Sequence, residues 1–196
     1  MWAFGARDPG SNPGGAITPD LIVMLSVLRL NHRRKRDARL TTHCCLVARA
    51  FGCNEIIYTG DEDKKLENTI NDITNRWGGR FFIRYEKNYR KILKEFNRKN
   101  FLICHLTMYG IPVQNKIRRI RKHKKILIVI GGEKVRGDVY QMADMNISVT
   151  NQPHSEVAAM SIFLHEYFQG KELNKKFPKA KMKIVPQERG KKILNN

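Results

Sequence analysis

The chain is poor in acidic residues and lacks long apolar runs. Its 196 residues include 18 Asp and Glu against 37 Lys and Arg, which gives a formal net charge of +19. No apolar run approaches the roughly 20 residues that a membrane-spanning helix needs, so we expect no membrane association. A strong positive field attracts polyanions. Nucleic acid is therefore the leading candidate partner, ahead of an anionic membrane surface.

Several common kinds of site have no counterpart in the sequence. The four cysteines form no CxxC pair and the histidines add no zinc spacing, so we expect no metal site and buried thiols in a reducing cytoplasm. The GxxxxGK[ST] of a P-loop, the GxGxxG of a dinucleotide site and the GxSxG of a hydrolase elbow are all missing. The usual nucleotide-binding and hydrolase sites therefore do not explain this sequence.

The first residues differ in character from the rest. Residues 1–20 are rich in Gly and Pro, show no hydrophobic period, and match neither a signal peptide nor a transit peptide. We expect a disordered extension or a spurious one, in which Gly10-Ser11-Asn12-Pro13 comes from translation of an upstream tRNA gene and Met24 is the true start. Residues 21–196 are expected to form one domain that ends in a basic tail.

Predicted strands and helices alternate along this domain. Helical spacing of apolar residues predicts helices that include residues 42–51, capped by Thr41 or Thr42, and a helix that Asp61 or Asp63 caps and that ends at Trp77. The alternation predicts an α/β fold with a single, mainly parallel sheet covered by helices on both faces. Apolar runs place the strands of this sheet at residues 21–30, 54–59, 81–83, 101–106, 126–130 and 145–149, with an extra strand at 181–185.

Residues 126–160 suggest where a ligand binds. The strand 126–130 ends at Gly131-Gly132, where the missing Cβ atoms allow a sharp turn and the close approach of a ligand. The next strand ends in the polar loop 150–154, and Ser155 begins an apolar helix. Open α/β sheets bind small ligands at such strand ends. A plain strand-to-helix turn would use the same glycines, but we predict a pocket between these two loops.

Three basic segments lead to different expectations. Residues 31–39 form a basic loop that is too polar for a core. Residues 116–125 contain seven Lys and Arg and no acidic residue, which favours contact with an RNA backbone over a merely solvated face. Residues 84–99 include Glu86 and Glu95 and are expected to form an ordinary surface helix.

Four segments resemble one family of RNA-modifying enzymes. RLNHRRKRDARLTTH (29–43), HLTMYG (105–110), IGGEKV (130–135) and NQPHSEVAA (151–159) are similar to archaeal tRNA (cytidine-56)-2′-O-methyltransferases of the SPOUT superfamily. The resemblance extends from about Met24 to IVPQERGKK in the tail. It implies a C-terminal trefoil knot, a homodimer, S-adenosylmethionine as cofactor, and methylation of the ribose 2′-hydroxyl of cytidine 56 in the tRNA T-loop.

The resemblance also implies a cofactor pocket. Leu106 and Val149 would supply its apolar walls, while backbone groups at the strand ends would hold the adenine edge and the ribose. His154 could equally cap a helix or lie in the core, and Glu156 could pair with a basic residue. The implied cofactor-binding residues are Leu106, Gly131, Gly132, Glu133, Lys134, Val135, Val149, Thr150, Asn151, Gln152, Pro153, His154, Ser155 and Glu156.

The catalytic group is less well defined. Related ribose methyltransferases use an arginine near the target phosphate, but their spacing would place Leu46 at that position. The candidates are Arg29, Arg36 and Arg39, and Arg39 is favoured because it lies just before the predicted helix. Arginine is a poor proton acceptor, so it would lower the pKa of the hydroxyl or orient the phosphate. His43 is a candidate base from its intrinsic pKa, although a structural histidine is equally compatible.

Two other functions are compatible with the same features. One is a SPOUT methyltransferase that acts on another RNA position or on a base. The other is a non-catalytic RNA-binding module whose pocket has decayed. The complete GGEKV and NQPHSEV segments argue against a decayed pocket.

Overall fold

A parallel sheet forms the centre of the molecule. The structure is a computed structural model that describes residues 23–132 and 134–195; the predictions for residues 1–20, for a start at Met24 and for Glu133 lie wholly or partly outside this range. Six strands pair in parallel in the order β3-β2-β1-β5-β4-β6. They are β1 (Met24–His32), β2 (Glu55–Gly60), β3 (Phe82–Tyr85), β4 (Leu102–Pro112), β5 (Lys125–Gly131) and β6 (Met145–Ser148).

Helices cover both faces of this sheet, as the alternation of strands and helices predicted. They are α1 (Ala38–Ala50), α2 (Lys64–Trp77), α3 (Tyr89–Arg98), α4 (Val113–Ile120), α5 (Gly137–Met142) and α6 (Glu156–Phe168). A 3₁₀ turn (Lys171–Asn174) follows, and β7 (Met182–Val185) and β8 (Lys192–Asn195) form a separate antiparallel hairpin.

Alternate residues of the central strands feed two cores, because successive side chains of a strand point to opposite faces. Ile126, Ile128 and Ile130 of β5 pack with residues of α1, α2, α4 and α6, whereas Leu127 and Val129 pack with residues of α3 and α5. Burial on both faces explains why the strand sequences read as continuous aliphatic runs. The predicted α/β class and the mainly parallel sheet are confirmed.

The first strand and helix differ from their predicted bounds. The strand continues to His32, because this histidine is buried and its Nδ1 lies 2.8 Å from the hydroxyl of Thr41. A buried polar side chain is tolerated when it is hydrogen-bonded. The basic loop that was predicted at residues 31–39 is therefore confined to residues 33–37. The helix begins at Ala38, and the prediction that Thr41 or Thr42 caps it is wrong.

The fourth strand is longer than predicted. The apolar run predicts a strand that ends at residue 106, but β4 continues to Pro112. It pairs with β6 in two registers, so that both Leu106 and Ile111 lie opposite Ile147. A Cβ on Gly110 would lie 2.5 Å from backbone atoms of Ile147. Only glycine permits this close approach of the two strands.

Candidate functional site

A pocket of about 570 Å³ lies beside the middle of β4 and the C-terminal ends of β5 and β6. The first turns of α1 and α6 and one side chain of α5 complete its walls. Its lining is mainly apolar, with a few polar groups, which is the usual character of a small-molecule site. The lining residues are Leu40, His105, Leu106, Thr107, Met108, Tyr109, Gly131, Gly132, Val135, Tyr140, Val149, Pro153, His154, Ser155, Glu156 and Ala159.

The glycine turn after β5 gives one side of the pocket an exposed backbone. A Cβ on Gly131 would lie 2.6 Å from Cγ2 of Val135, whereas a Cβ on Gly132 would meet nothing within 4 Å. The first glycine therefore allows Val135 to fold back onto the turn. The second has open space beside it, which leaves room for a ligand to approach the backbone.

A buried ion pair joins the pocket wall to the first strand. Arg29 is 1% exposed, and its guanidinium lies 2.8 Å from the Glu156 carboxylate. Ser155 caps α6 by accepting a hydrogen bond from the backbone N–H of Val157, which places Glu156 in the first turn. Burial raises the pKa of Glu156, and the charge of Arg29 opposes that rise. Arg29 thus offsets part of the cost of burying this carboxylate in the pocket wall.

The ion pair continues towards the surface. The second carboxylate next to Arg29 belongs to Asp37, at 3.9 Å. Asp37 accepts two hydrogen bonds from the guanidinium of Arg33, at 2.9 and 3.2 Å, and these bonds lower its pKa. Arg33 is exposed in the basic loop between β1 and α1. A chain of alternating charges therefore links the pocket wall to a cationic surface.

A second polar network lies in the β4 wall. The ring nitrogen Nδ1 of His105 is 2.8 Å from Oδ1 of Asn146, whose amide nitrogen donates to the carbonyl of Tyr140. Because that donation orients the amide, His105 Nδ1 carries the proton and Nε2 is the acceptor. Burial lowers the pKa of His105 and keeps the ring neutral. In the part of the chain that the structure describes, Nε2 has no partner.

The polar loop after β6 is held in place by its own amide groups. Asn151 Nδ2 donates to the carbonyls of Met108 and Gly110, at 2.6 and 3.2 Å. His154 Nδ1 lies 2.7 Å from the carbonyl oxygen of Gln152. The two bonds of Asn151 tie the loop to β4, and the contact of His154 is internal to the loop, so the loop and the strand together form the pocket rim.

Comparison with known proteins identifies the family. A profile of the family described as "tRNA ribose 2′-O-methyltransferase, aTrm56" matches residues 77–194. The tRNA (cytidine(56)-2′-O)-methyltransferase of Thermococcus kodakarensis is 51% identical over 175 residues, which cover 87% of this chain and 97% of that protein. The enzyme of the same name from Methanopyrus kandleri is 42% identical over 167 residues, covering 85% and 94%. This chain belongs to the tRNA (cytidine(56)-2′-O)-methyltransferase family. It is therefore a tRNA ribose 2′-O-methyltransferase, and the resemblance of its four segments is confirmed.

Solved structures support the fold of this methyltransferase. The TrmH/SpoU tRNA modifying enzyme of A. aeolicus superposes with a TM-score of 0.57 at 21% identity, covering 76% of each chain. The SpoU methyltransferase AviRb from Streptomyces viridochromogenes, in complex with the cofactor AdoMet, gives 0.59 at 12% identity, covering 78% of this chain and 60% of that one. At these identities the likeness concerns the fold alone.

Most of the predicted pocket residues of this methyltransferase meet at one place. Lys134 lies instead in a neighbouring hollow with Asn31 and Arg33, and Glu133 is outside the described residues. Thr150, Asn151 and Gln152 are in the rim but do not line the pocket. The predicted residues that do line it are Leu106, Gly131, Gly132, Val135, Val149, Pro153, His154, Ser155 and Glu156.

The four catalytic candidates occupy different environments, and Arg36 is exposed in the loop between β1 and α1. Arg39 and His43 are exposed on α1, on either side of Leu40 in sequence, and Leu40 lines the pocket. Arg29 lies behind the pocket wall and reaches it through Glu156. Arg39 and His43 therefore lie on the part of α1 that contributes a lining residue, whereas Arg29 contacts a lining residue from beneath the wall.

Sequence reasoning missed several lining residues. His105, Thr107, Met108 and Tyr109 belong to the HLTMYG segment, in which only Leu106 was assigned to the pocket. Their inclusion in that segment was a usable signal. Leu40 and Ala159 carried the same signal, because they lie in the 29–43 and 151–159 segments. Tyr140 lies in none of the four segments, and its position depends on how α5 packs beside the strand ends.

Within residues 23–132 and 134–195, no group of three His, Cys, Asp or Glu side chains is arranged to hold a metal ion. The described helices are all too short or too polar to cross a bilayer. The four cysteines are buried free thiols, as expected.

Proposed function

We propose that the family's reaction, 2′-O-methylation of cytidine 56 in tRNA, takes place at this pocket with S-adenosylmethionine as the methyl donor. The proposal rests on one observation: the glycine turn, the polar loop and β4 all line a single pocket of about 570 Å³. That volume lies within the roughly 300–1,000 Å³ typical of small-molecule sites. The basic surface around it suits a polyanionic substrate.

The pocket residues fit the chemistry of this cofactor. Gly132 has open space where a Cβ would lie, and Ser155 and Glu156 bring a hydroxyl and a carboxylate to the lining. Such groups suit the donors of an adenosyl moiety and the cationic end of a sulfonium amino acid. The cofactor supplies a methyl group on a positively charged sulfur. The residues proposed to hold it are Leu106, the turn 131–135 and the segment 149–156.

Two exposed residues of α1, close in sequence to the lining residue Leu40, are proposed to act on the RNA hydroxyl. We assign Arg39 to the lowering of the 2′-hydroxyl pKa or to the orientation of the adjacent phosphate, because it is exposed and always charged. His43 lies one helical turn away and is the candidate acceptor of the hydroxyl proton. Arg29 is assigned to positioning, because its guanidinium is already engaged with Glu156.

Replacement of Arg39 tests this assignment. Arg39→Ala is expected to lower turnover by about 100-fold, a typical loss for a group that stabilises developing charge, without changing the affinity for S-adenosylmethionine in calorimetry. Arg98→Ala removes an exposed arginine from α3, on the other face of the sheet, and serves as the control. Near-normal turnover of Arg39→Ala would remove this residue from the mechanism.

Mapping of the product tests the reaction as a whole. The protein is incubated with unmodified tRNA transcript and methyl-labelled S-adenosylmethionine, and the label is mapped at nucleotide level. Label should appear on the ribose at position 56 and vanish when 2′-deoxycytidine is placed there. Label at another ribose or on a base would support the alternative of a methyltransferase with a different target. Absence of label with saturable cofactor binding would argue for a non-catalytic RNA-binding module.

We further propose that this enzyme is a homodimer. Leu46 on α1 and Ile162 on α6 are 36% and 46% exposed, although α1 and α6 pack against each other. Apolar side chains exposed on adjoining helices suit a self-complementary interface. Light scattering should give twice the chain mass, and Leu46→Glu with Ile162→Glu should give the monomer mass.

The remaining proposals concern topology and setting. We propose that residues 21–196 form one SPOUT domain whose C-terminal part is tied in a trefoil knot around the pocket, which a crystal structure would test. The pairing of β4 with both β5 and β6 beside the pocket is consistent with such threading.

The buried free thiols suit a reducing, cytoplasmic setting. The relatives named above favour an archaeal source.

A further inference from the structure

Tyr109 differs from every other tyrosine of the chain. The sequence contains six tyrosines, at positions 58, 85, 89, 109, 140 and 167. The hydroxyls of the other five are hydrogen-bonded to protein groups. The hydroxyl of Tyr109 makes no such bond to the residues that the structure describes, and its side chain is 75% exposed although it lines the pocket. A large aromatic ring therefore stands in solvent at the pocket mouth.

The backbone around Tyr109 is held on both sides. Asn151 donates to the carbonyls of Met108 and Gly110, which flank it. Gly110 lies so close to Ile147 that any Cβ would collide with its backbone. The exposure of the ring is thus fixed by specific contacts of its neighbours and does not result from a loose loop.

An exposed ring in this position needs a partner that also has an apolar face. Unpaired RNA bases stack on aromatic side chains, and recognition of loops and splayed nucleotides relies on this contact. The neighbouring hollow with Arg33 and Lys134 places cationic groups near the same mouth, where RNA phosphates would bind. The arrangement suits a nucleotide whose ribose points inward and whose base lies across the rim.

We propose that Tyr109 is a positioning residue that stacks on the base of the nucleotide whose 2′-hydroxyl is methylated. This inference rests on the proposed function, because it needs the methyl donor to occupy the same pocket. Stacking fixes the base plane and so limits the rotation that would carry the ribose away from the donor. Correct placement of reacting groups is a large part of catalysis by proximity.

Substitution of Tyr109 tests the proposal by separating binding of RNA from binding of cofactor. Base stacking on an aromatic residue corresponds to roughly 5- to 150-fold in affinity. Tyr109→Ala should therefore raise the KM for tRNA within that range, while the affinity for S-adenosylmethionine stays unchanged. Tyr109→Phe keeps the aromatic face and should behave like the wild type. The control is Phe82→Ala, which removes another exposed ring, 64% exposed, from β3 at the opposite edge of the sheet.

A substrate without the target base gives the decisive measurement. A T-arm RNA that carries an abasic ribose at position 56 keeps the 2′-hydroxyl but has nothing to stack. The loss caused by Tyr109→Ala should disappear on this RNA, because two changes that remove one contact are not additive. An equal loss on both RNAs would overturn the proposal.

Two further results would also count against the proposal. If Tyr109→Ala is a monomer in light scattering, the ring belongs to an interface between copies of the chain. If it methylates tRNA with an unchanged KM, the ring does not contact the substrate. Failure of the wild-type protein to methylate any tRNA is a different result, since it would refute the proposed function itself.

Discussion

Arg29, near the end of β1, and Arg39, in the first turn of α1, lie in opposite environments. Arg29 is almost fully buried between two carboxylates, with Glu156 at 2.8 Å and Asp37 at 3.9 Å. Arg39, on the first turn of α1, is exposed. Both belong to the 29–43 segment of the sequence, but because one is buried and the other exposed, we expect them to have different roles. The first stabilises the pocket wall, and the second is free to meet a substrate.

The physical reason is the unequal cost of removing water. A buried charge that loses its partner is left without solvation and destabilises the protein strongly. An exposed charge keeps its water, and its pairing with other surface charges contributes about 0–1 kcal/mol and is screened by salt. Substitutions in the buried set should therefore affect stability, and those in the exposed set should affect RNA binding.

The largest expected effect is the loss of stability in Arg29→Met. This change leaves Glu156 buried with its nearest cation removed, and breaking such a pair costs about 3–5 kcal/mol. The measurement is the midpoint of urea unfolding. Arg39→Met is the matched control, and its midpoint should remain within experimental error of the wild type.

A second variant keeps this prediction testable if Arg29→Met does not fold. Arg29→Met combined with Glu156→Leu removes both charges, and a paired replacement by apolar residues is often neutral or stabilising. The double variant should therefore be more stable than Arg29→Met alone. If the double variant is the less stable of the two, the pair is not the main contribution of Arg29.

The histidines also allow a comparison between a buried and an exposed side chain, with a smaller expected effect on the free energy of unfolding. His105 is buried and its pKa lies below the ordinary value of 6.5, whereas His43 is exposed. As pH falls below 6.5, His105 becomes protonated in the unfolded chain but stays neutral in the folded protein. Because the unfolded state then binds more protons, the free energy of unfolding should decrease as pH falls. His105→Gln should show a smaller loss of stability between pH 7.5 and 5.5 than the wild type does.

The control for the histidine prediction is His43→Gln. This exposed substitution should leave the pH dependence of unfolding close to that of the wild type. Buried His32 also has a lowered pKa, and the raised pKa of Glu156 acts in the opposite sense. Both groups are common to all three proteins, so the difference between slopes reports His105. Equal slopes in the wild type and His105→Gln would contradict the prediction.

The sequence predictions succeeded where the signal is local and failed where a residue's position depends on contacts that are distant in sequence. The sheet, the helices and the location of the pocket followed from aliphatic runs and a glycine turn, which are local signals. The end of β1 did not, because His32 is buried only through its contact with Thr41 and its position 3.5 Å from Asp63. The place of Arg29 likewise depends on Glu156, which is distant in sequence. No local pattern encodes such partners.

The smallest expected effect concerns the exposed cations of α4. Arg119 is exposed, whereas Arg121 donates to the carbonyl of Glu166 at 2.8 Å and is partly withdrawn from solvent. If α4 contacts the tRNA backbone, Arg119→Ala should reduce the slope of log affinity against log salt by about 1. Arg98→Ala, on the opposite face of the sheet, should leave the slope unchanged. An unchanged slope for Arg119→Ala would show that the exposed charge of α4 is merely solvated, and the comparison between buried and exposed arginines would then rest on the β1–α1 segment alone.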